Sequence, residues 1–170
     1  EEGFTESAAK TGITGICGSA IIEVIAEMFL SGIISEDGVI DGAMAARSPR
    51  ILENGRTFSY LLHDGAQRIT VTQNDVRAIQ LAKAALYAGI KLLMEKLDVT
   101  HVDEIRFAGA FGSFIDPKYA MVLGLIPDCD LSRVKAVGNA AGTGARMALL
   151  NRAHRREIEA TVAKVEKIET

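Results

Sequence analysis

The sequence is poor in the residues that build metal centres and disulfide frameworks. It has two cysteines, Cys17 and Cys129, which lie far apart and outside any CxxC pair, and three scattered histidines, His63, His101 and His154. Disulfide-stapled domains and cysteine–histidine metal sites need clusters of these residues at short spacings. The sequence therefore predicts neither kind of site, and Cys17, within an apolar stretch, is expected to be an inert buried thiol.

An excess of charge and long apolar runs are also lacking. The 19 Lys and Arg residues against 22 Asp and Glu residues give a net charge of −3, too little to attract nucleic acid or an anionic membrane. The basic run at residues 152–156 is followed by glutamates and predicts a solvated helix face rather than a phosphate site. No stretch approaches the roughly 18 apolar residues of a membrane span, and no signal peptide opens the chain. We therefore expect a cytoplasmic protein without a nucleic-acid or membrane partner.

The composition that remains is that of a folded domain. Apolar residues make up 48% of the 170 residues, and a chain of this size can bury roughly two thirds of its unfolded surface. Residues 1–14 form a polar lead-in whose pattern predicts no regular structure. A first residue other than Met is typical of a piece of a longer chain, and the domain itself is expected over residues 15–170.

The first half of the sequence predicts helices at both ends of a strand pair. An apolar helix starts near Ser19 and closes at Gly32, and its nearly all-round apolar pattern predicts a buried helix that packs beneath a sheet. Residues 33–54 contain only turn signals, and alternating patterns over residues 56–63 and 67–71 predict two paired strands.

A long helix follows, from Thr72 to about Leu97. Thr72 and Asp75 have the spacing of a capping box, which marks its start. Apolar residues recur along it at steps of three and four, from Val76 through Leu86 to Leu97, and predict one apolar stripe. Polar positions outside that stripe carry side chains that could donate hydrogen bonds to a ribose or an adenine, although a solvated helix face is the plainer interpretation. These positions are Arg77, Gln80 and Lys83.

The second half contains two similar units, each a short strand, a glycine-rich turn and a helix. In EIRFAGAFGSFID the strand ends at Ala108, the turn holds Gly109 and Gly112, and a helix follows Asp116-Pro117. In VKAVGNAAGTGARMALL the strand ends at Val137 and the turn holds three glycines, Gly138, Gly142 and Gly144. Strands that alternate with helices predict an α/β layered sheet.

Ligands in such sheets bind beyond the carboxyl ends of the strands, where glycine lets the backbone approach them closely. A helix that starts there presents unpaired N–H groups and a partial positive charge to a phosphate. The turns therefore indicate a nucleotide site, although Gly109 and Gly112 could also serve only a tight corner. Neither the GxGxxG fingerprint nor the P-loop motif is present, and no catalytic triad, activated cysteine or carboxylate pair is recognisable.

Four segments together resemble the reductive activators of corrinoid proteins: TQNDVRAIQLAKAALYAGIKLL, FAGAFGSFIDP, GLIPD and VGNAAGTGARMALL. A fifth, ICGSAIIEVIAE, resembles the family's ICGSG segment with Ala20 in place of a glycine. Members of that family join an amino-terminal iron–sulfur domain of ferredoxin type to a carboxy-terminal domain of the acetate and sugar kinase, heat-shock-protein and actin superfamily. The resemblance implies a ribonuclease-H-like layered sheet flanked by helices, forming one incomplete lobe of an actin-like ATPase domain.

The resemblance also implies which residues bind the nucleotide. The superfamily's adenosine motif corresponds to Gly109, Ala110, Phe111 and Gly112. The helix that borders the adenine and ribose corresponds to Arg77, Gln80 and Lys83. The following turn, which shapes the same cleft, corresponds to Asn139, Gly142 and Thr143.

By the same resemblance, the intact protein uses ATP with magnesium and an iron–sulfur cluster in its amino-terminal domain to return the cob(II)amide of a corrinoid protein to cob(I)amide for methyl transfer. The two Asp-Gly-Thr-type phosphate hairpins of the superfamily and the cluster cysteines are not in this sequence. The chain alone is therefore expected neither to hydrolyse ATP nor to carry an electron, and homodimerisation remains open.

Two other functions remain as alternatives. An activator of a radical or benzoyl-coenzyme A type dehydratase would show cluster cysteines at a subunit interface, which Cys17 and Cys129 do not supply. A non-catalytic docking or dimerisation module would use its glycine turns only for structure.

Overall fold

The computed structural model describes residues 2–168, which divide into two compact units, one ending at Ala85 and the other beginning at Leu86. Helices and strands occur in both, so the predicted α/β class is confirmed. The first unit opens with α1 (Glu2–Thr11), where the polar lead-in predicts no regular structure. Alanine, glutamate and lysine favour a helix even without an apolar stripe, and Gly12, at a φ of 73°, follows its end.

The second helix, α2 (Gly18–Leu30), has nearly the predicted bounds. Ile22, Ile25 and Met28 are buried, whereas Leu30 is 52% exposed. The helix is therefore buried along one face and open at its last residue, because an apolar composition all round a helix does not by itself supply a neighbour on every side.

The segment after α2 is more regular than its turn signals predict. Ile34 and Ile40 are buried and form an isolated antiparallel bridge, and a short 3-10 helix follows at Gly42–Ala46. A strand, β1 (Ile51–Asn54), then lies within the stretch predicted to be irregular. Its hydrogen-bond partners lie in the next strand, so four residues with two polar side chains gave no local signal of it.

The first unit contains a three-stranded antiparallel sheet in the order β1-β2-β3. The two predicted strands are confirmed as β2 (Thr57–Asp64) and β3 (Arg68–Thr72). Val71 on β3 lies opposite Tyr60 and is almost completely buried. Such alternation of buried and open positions sets the register of the pair.

The predicted long helix is confirmed as α3 (Gln73–Lys96), which begins in the first unit and ends in the second. Its capping box is formed: the Thr72 N–H donates to Asp75 Oδ2 at 2.8 Å, and the Asp75 N–H donates to Thr72 Oγ1 at 3.3 Å. The predicted apolar stripe is buried at its start, at Val76, but Leu86 and Leu97 are more than half exposed.

The second unit contains the end of α3, a two-stranded parallel sheet, further α-helices and a short 3-10 helix at Leu131–Arg133. Its core is small and comprises the buried side chains of Ala120, Leu125, Ile126 and Val134. Its elements are β4 (Ile105–Phe107), α4 (Gly109–Gly112), α5 (Pro117–Val122), β5 (Val134–Ala136), α6 (Ala140–Leu150) and α7 (Arg152–Val162).

The basic run predicted to be a solvated helix face lies on α7, and one of its residues, Arg155, caps the preceding helix. The Arg155 side chain donates from Nε to the Ala148 carbonyl at 2.6 Å and from Nη2 to the Leu149 carbonyl at 3.2 Å. These carbonyls belong to the last turn of α6, where carbonyl groups have no N–H donor within the helix. Arg155 therefore closes α6 while remaining exposed. In the described residues, no helix is both long enough and apolar enough to cross a membrane.

Candidate functional site

The two glycine-rich turns of the second unit lie side by side. Parallel pairing sets Phe107 of β4 opposite Ala136 of β5, so both strands end at the same edge. Beyond that edge the Val137 N–H donates to the Phe107 carbonyl at 2.9 Å, and the Gly109 N–H donates to the Gly138 carbonyl at 2.7 Å. The structure thus brings together the two turns that the sequence identifies separately.

The GAFG segment forms one helical turn, α4, instead of an open turn. Gly109 has a φ of 95°, which a residue with a side chain rarely adopts. A Cβ on Gly112 would lie 3.2 Å from the Phe107 Cβ, so its absence lets α4 pack closely on the preceding strand. The local structure therefore favours glycine at both positions, while Ala110 and Phe111 lie exposed beside them. The exposed Phe111 ring offers an apolar face to a flat ligand.

The second turn is shorter than predicted. Gly142 and Thr143, predicted to lie in the turn, lie instead in the first turns of α6, which begins at Ala140. Asn139 is the N-cap, and its Oδ1 accepts from the Gly142 N–H at 2.9 Å. The prediction was wrong because the Asn N-cap stabilises the start of the helix enough to offset the low helix propensity of glycine. The α6 amino terminus, at the end of β5, carries the partial positive charge expected there.

The remaining predicted site residues lie on α3 in the first unit. Arg77 and Lys83 are exposed, whereas Gln80 is half-buried. The Gln80 Nε2 donates to the Asp37 carbonyl at 3.1 Å, and its Oε1 accepts from Arg77 Nη1 at 3.0 Å. The contact with Asp37 joins residues 43 positions apart and has no signal in the sequence. The predicted stripe is therefore two exposed cations on either side of an amide that is already bonded.

A cavity of about 290 Å³ in the second unit lies away from the glycine turns. Glu104 and Arg133 in its lining precede β4 and β5, whereas the turns follow the carboxyl ends of these strands. The Arg106 guanidinium, 2.9 Å from Glu104 Oε1, holds the pKa of Glu104 below its usual value. The Ser132 backbone N–H lowers the pKa of Asp130, another lining residue, in the same direction. Both carboxylates are thus held in their ionised form.

Cys17 is exposed, so the prediction of a buried thiol is wrong. It is the N-cap residue of α2, where the chain has not yet entered the packed part of the helix. The Ser19 hydroxyl, 3.2 Å from the Cys17 sulfur, and the Ala20 backbone N–H lower the pKa of the thiol. Across residues 2–168, no group of three or more His, Cys, Asp or Glu side chains is placed to share a metal ion.

Comparisons with known proteins agree on one relationship. A family model described as the C-terminal domain of RACo, the ASKHA domain, matches residues 3–170. The corrinoid activation enzyme RamQ of Eubacterium limosum is 39% identical over 155 residues, covering 84% of this chain and 26% of that protein. A solved structure of a reductive activator for corrinoid, iron–sulfur protein matches with a TM-score of 0.81 and 33% identity, covering 91% of this chain and 26% of that one. The chain thus spans about a quarter of the length of these relatives.

Proposed function

Because the chain belongs to the family of RACo C-terminal ASKHA domains, as its motifs predicted, we propose that it supplies the adenosine-binding part of an ATP-dependent reductive activator. In that role the longer protein returns the cob(II)amide of a corrinoid protein to cob(I)amide, ready for methyl transfer. The proposal is supported by two relatives, one described as a corrinoid activation enzyme and the other as a reductive activator.

One observation carries the assignment of the site: the hydrogen bond from the Gly109 N–H to the Gly138 carbonyl joins the two glycine turns. It places α4 and the amino terminus of α6 at one edge of the parallel sheet, where ligands of α/β folds bind. In our proposal Gly109, Ala110, Phe111 and Gly112 lie against the adenosine. Asn139, Gly142 and Thr143 form the adjoining wall.

On α3, in the first unit, we assign Arg77, Gln80 and Lys83 to nucleotide binding. Arg77 and Lys83 offer hydrogen-bond donors and positive charge, which suit ribose and phosphate oxygens. Half of a binding cleft buries little of its ligand, so we expect tight binding only in the longer protein.

The other components of the reaction are assigned outside this chain. The described residues include no carboxylate set for magnesium, and the two cysteines are too few for a ferredoxin-type cluster. When bound, the cluster supplies the single electron, and ATP supplies the free energy for the uphill transfer. The residues named above bind and orient the nucleotide. Free thiols at Cys17 and Cys129 suit the cytoplasm, where we place the protein.

The proposal is tested by calorimetric titration of ATP and ADP into the full-length protein and its Gly109→Val and Lys83→Ala variants. Valine at a φ of 95° is strained by about 1–3 kcal/mol and must shift the turn, so we expect binding at least about tenfold weaker. Gly89→Val and Lys96→Ala are matched controls on α3, because a Cβ at Gly89 meets no atom within 4 Å and Lys96 is exposed. A full-length protein that binds neither nucleotide would refute the proposal and favour the docking module.

A further inference from the structure

The loop before the 3-10 helix is held against α3 by backbone and side-chain contacts. We define the Asp37 loop as residues 35–40. It is closed by a bond from the Gly38 N–H to the Ser35 carbonyl and one from the Ser35 N–H to the Val39 carbonyl, both 2.9 Å long. Ile40 at its end is buried. The loop is therefore a defined structural element against which a side chain can be fixed.

Two glutamines of α3 bind the backbone of this loop. The Gln73 amide donates to the Gly38 carbonyl at 2.6 Å and accepts from the Ile40 N–H at 2.9 Å. About two turns further along the helix, the Gln80 Nε2 donates to the Asp37 carbonyl at 3.1 Å. The loop is thus anchored along α3 at successive positions.

Gly38 allows the second anchor. Its φ is 76°, and a Cβ built on it would overlap the Gln80 side-chain amide. The amide therefore lies directly on the loop backbone, in a space that any other residue at position 38 would fill. Gln80 faces the loop and is half-buried there.

The other end of the same amide holds an arginine. Gln80 Oε1 accepts from Arg77 Nη1 at 3.0 Å, and Arg77 remains exposed. A guanidinium has five N–H donors, so this single bond leaves donors for a ligand. An arginine already fixed in one rotamer loses less freedom when it binds a ligand oxygen, and this raises affinity.

We infer that Gln80 is a positioning residue: it transmits the fixed position of the Asp37 loop to the Arg77 guanidinium, and Arg77 is the side chain of the pair that contacts the nucleotide. This inference rests on the proposed function and revises one part of it, since Gln80 then affects binding only through Arg77. The ligand atoms are acceptors, such as ribose hydroxyl or phosphate oxygens, because a guanidinium only donates.

The test is a double-mutant cycle on the ATP dissociation constant of the full-length protein, using Arg77→Ala, Gln80→Leu and both together. Leucine keeps the helix propensity of Gln80 and removes its hydrogen bonds. We expect each single variant to weaken ATP binding by about tenfold, the size of one charge-assisted hydrogen bond. The double variant should bind as Arg77→Ala does, because Gln80 has no further effect once the guanidinium is gone.

Control variants distinguish a loss of Arg77 positioning from a loss of folding and from a failure of the proposed function. Gln67→Leu and Arg56→Ala are the same changes at exposed turn positions and should leave ATP binding unchanged. The melting temperature of each variant shows whether it is folded, and if Gln80→Leu is not, Gln80→Met replaces it in the cycle. The positioning role would be overturned if the double variant bound ATP more weakly than Arg77→Ala by the full factor seen for Gln80→Leu alone. It would also be overturned if Gln80→Leu bound ATP as tightly as the wild type. Either result would leave the proposed nucleotide site intact. Absence of ATP binding by the wild type would instead remove the proposed function on which it rests.

Discussion

Two glycines in α6 should respond differently to the same substitution. A Cβ on Gly144 would meet no atom within 4 Å, whereas a Cβ on Gly142 would lie 2.7 Å from Asn139 Nδ2. Asn139 is the N-cap whose Oδ1 accepts from the Gly142 N–H. The substitution to alanine therefore affects only helix propensity at Gly144 but both propensity and the cap at Gly142.

The magnitudes follow from these two terms. Alanine is favoured over glycine within a helix by about 1 kcal/mol, so Gly144→Ala should stabilise α6 by up to that amount. In Gly142→Ala the same gain is offset by loss of the Asn cap, which costs about 1 kcal/mol with a range of roughly 0.5–2. The two variants should differ by about 1 kcal/mol, close to a fivefold difference in local opening.

The assay is native-state hydrogen exchange of amides in the middle of α6, which reports local opening of this helix. Exchange should slow in Gly144→Ala and stay near wild type in Gly142→Ala. A cycle with Asn139→Ala isolates the cause: without the Asn139 side chain, Gly142→Ala should slow exchange as Gly144→Ala does. Equal protection by the two alanines in the presence of Asn139 would refute the reasoning.

Three further outcomes are expected. Asp75→Ala removes the capping-box acceptor of the Thr72 N–H and should destabilise the start of α3 by about 1 kcal/mol, measured by exchange of its first amides, with Asp103→Ala as an exposed control. The largest cause of the lowered Cys17 pKa is the hydrogen bond with the Ser19 hydroxyl, and this bond raises the fraction of thiolate near neutral pH. Iodoacetamide should then alkylate Cys17 more slowly in Ser19→Ala at pH 7 but not at a pH well above the thiol pKa, and an equal rate at pH 7 would contradict the assignment. Arg155→Ala should expose the last carbonyls of α6 and speed exchange at its carboxyl end, whereas Arg156→Ala should not.

Sequence reasoning succeeded where a signal was local. The capping box at Thr72 and Asp75, the Asp116-Pro117 helix start and the alternating pattern of β2 each reside in a few neighbouring residues, and each is present in the structure. The family resemblance succeeded because four motifs stand in a fixed order. These motifs predicted the α/β class and the family together.

The predictions that failed depend on contacts between residues far apart in the sequence or on the packing around a segment. β1 depends on hydrogen bonds from β2, and the exposure of Cys17 depends on where α2 enters its packing. The Gln80 contact with the Asp37 loop joins positions 43 apart. Gly142 and Gly144 were placed in a turn because glycine usually marks one, whereas the Asn139 cap decided where the helix begins.

Burial was also harder to predict than secondary structure. The apolar stripe of α3 is correct as a pattern, but Val76 is buried while Leu86 and Leu97 are exposed. Periodicity indicates which face of a helix is apolar, and it does not indicate how much neighbouring chain covers that face.

We have proposed that the glycine turns of this chain bind the ATP that drives corrinoid reduction by the longer protein. The most direct test follows cob(I)amide formation by anaerobic absorbance spectroscopy in the full-length protein, with a reductant, a corrinoid protein of a methyltransferase system and either ATP or none. ATP should accelerate the reduction in the wild type and in Gly89→Val, and Gly109→Val should lose that acceleration while its ATP-independent rate stays the same. An ATP response that survives in a folded Gly109→Val protein, or no ATP response in the wild type, would contradict the claim.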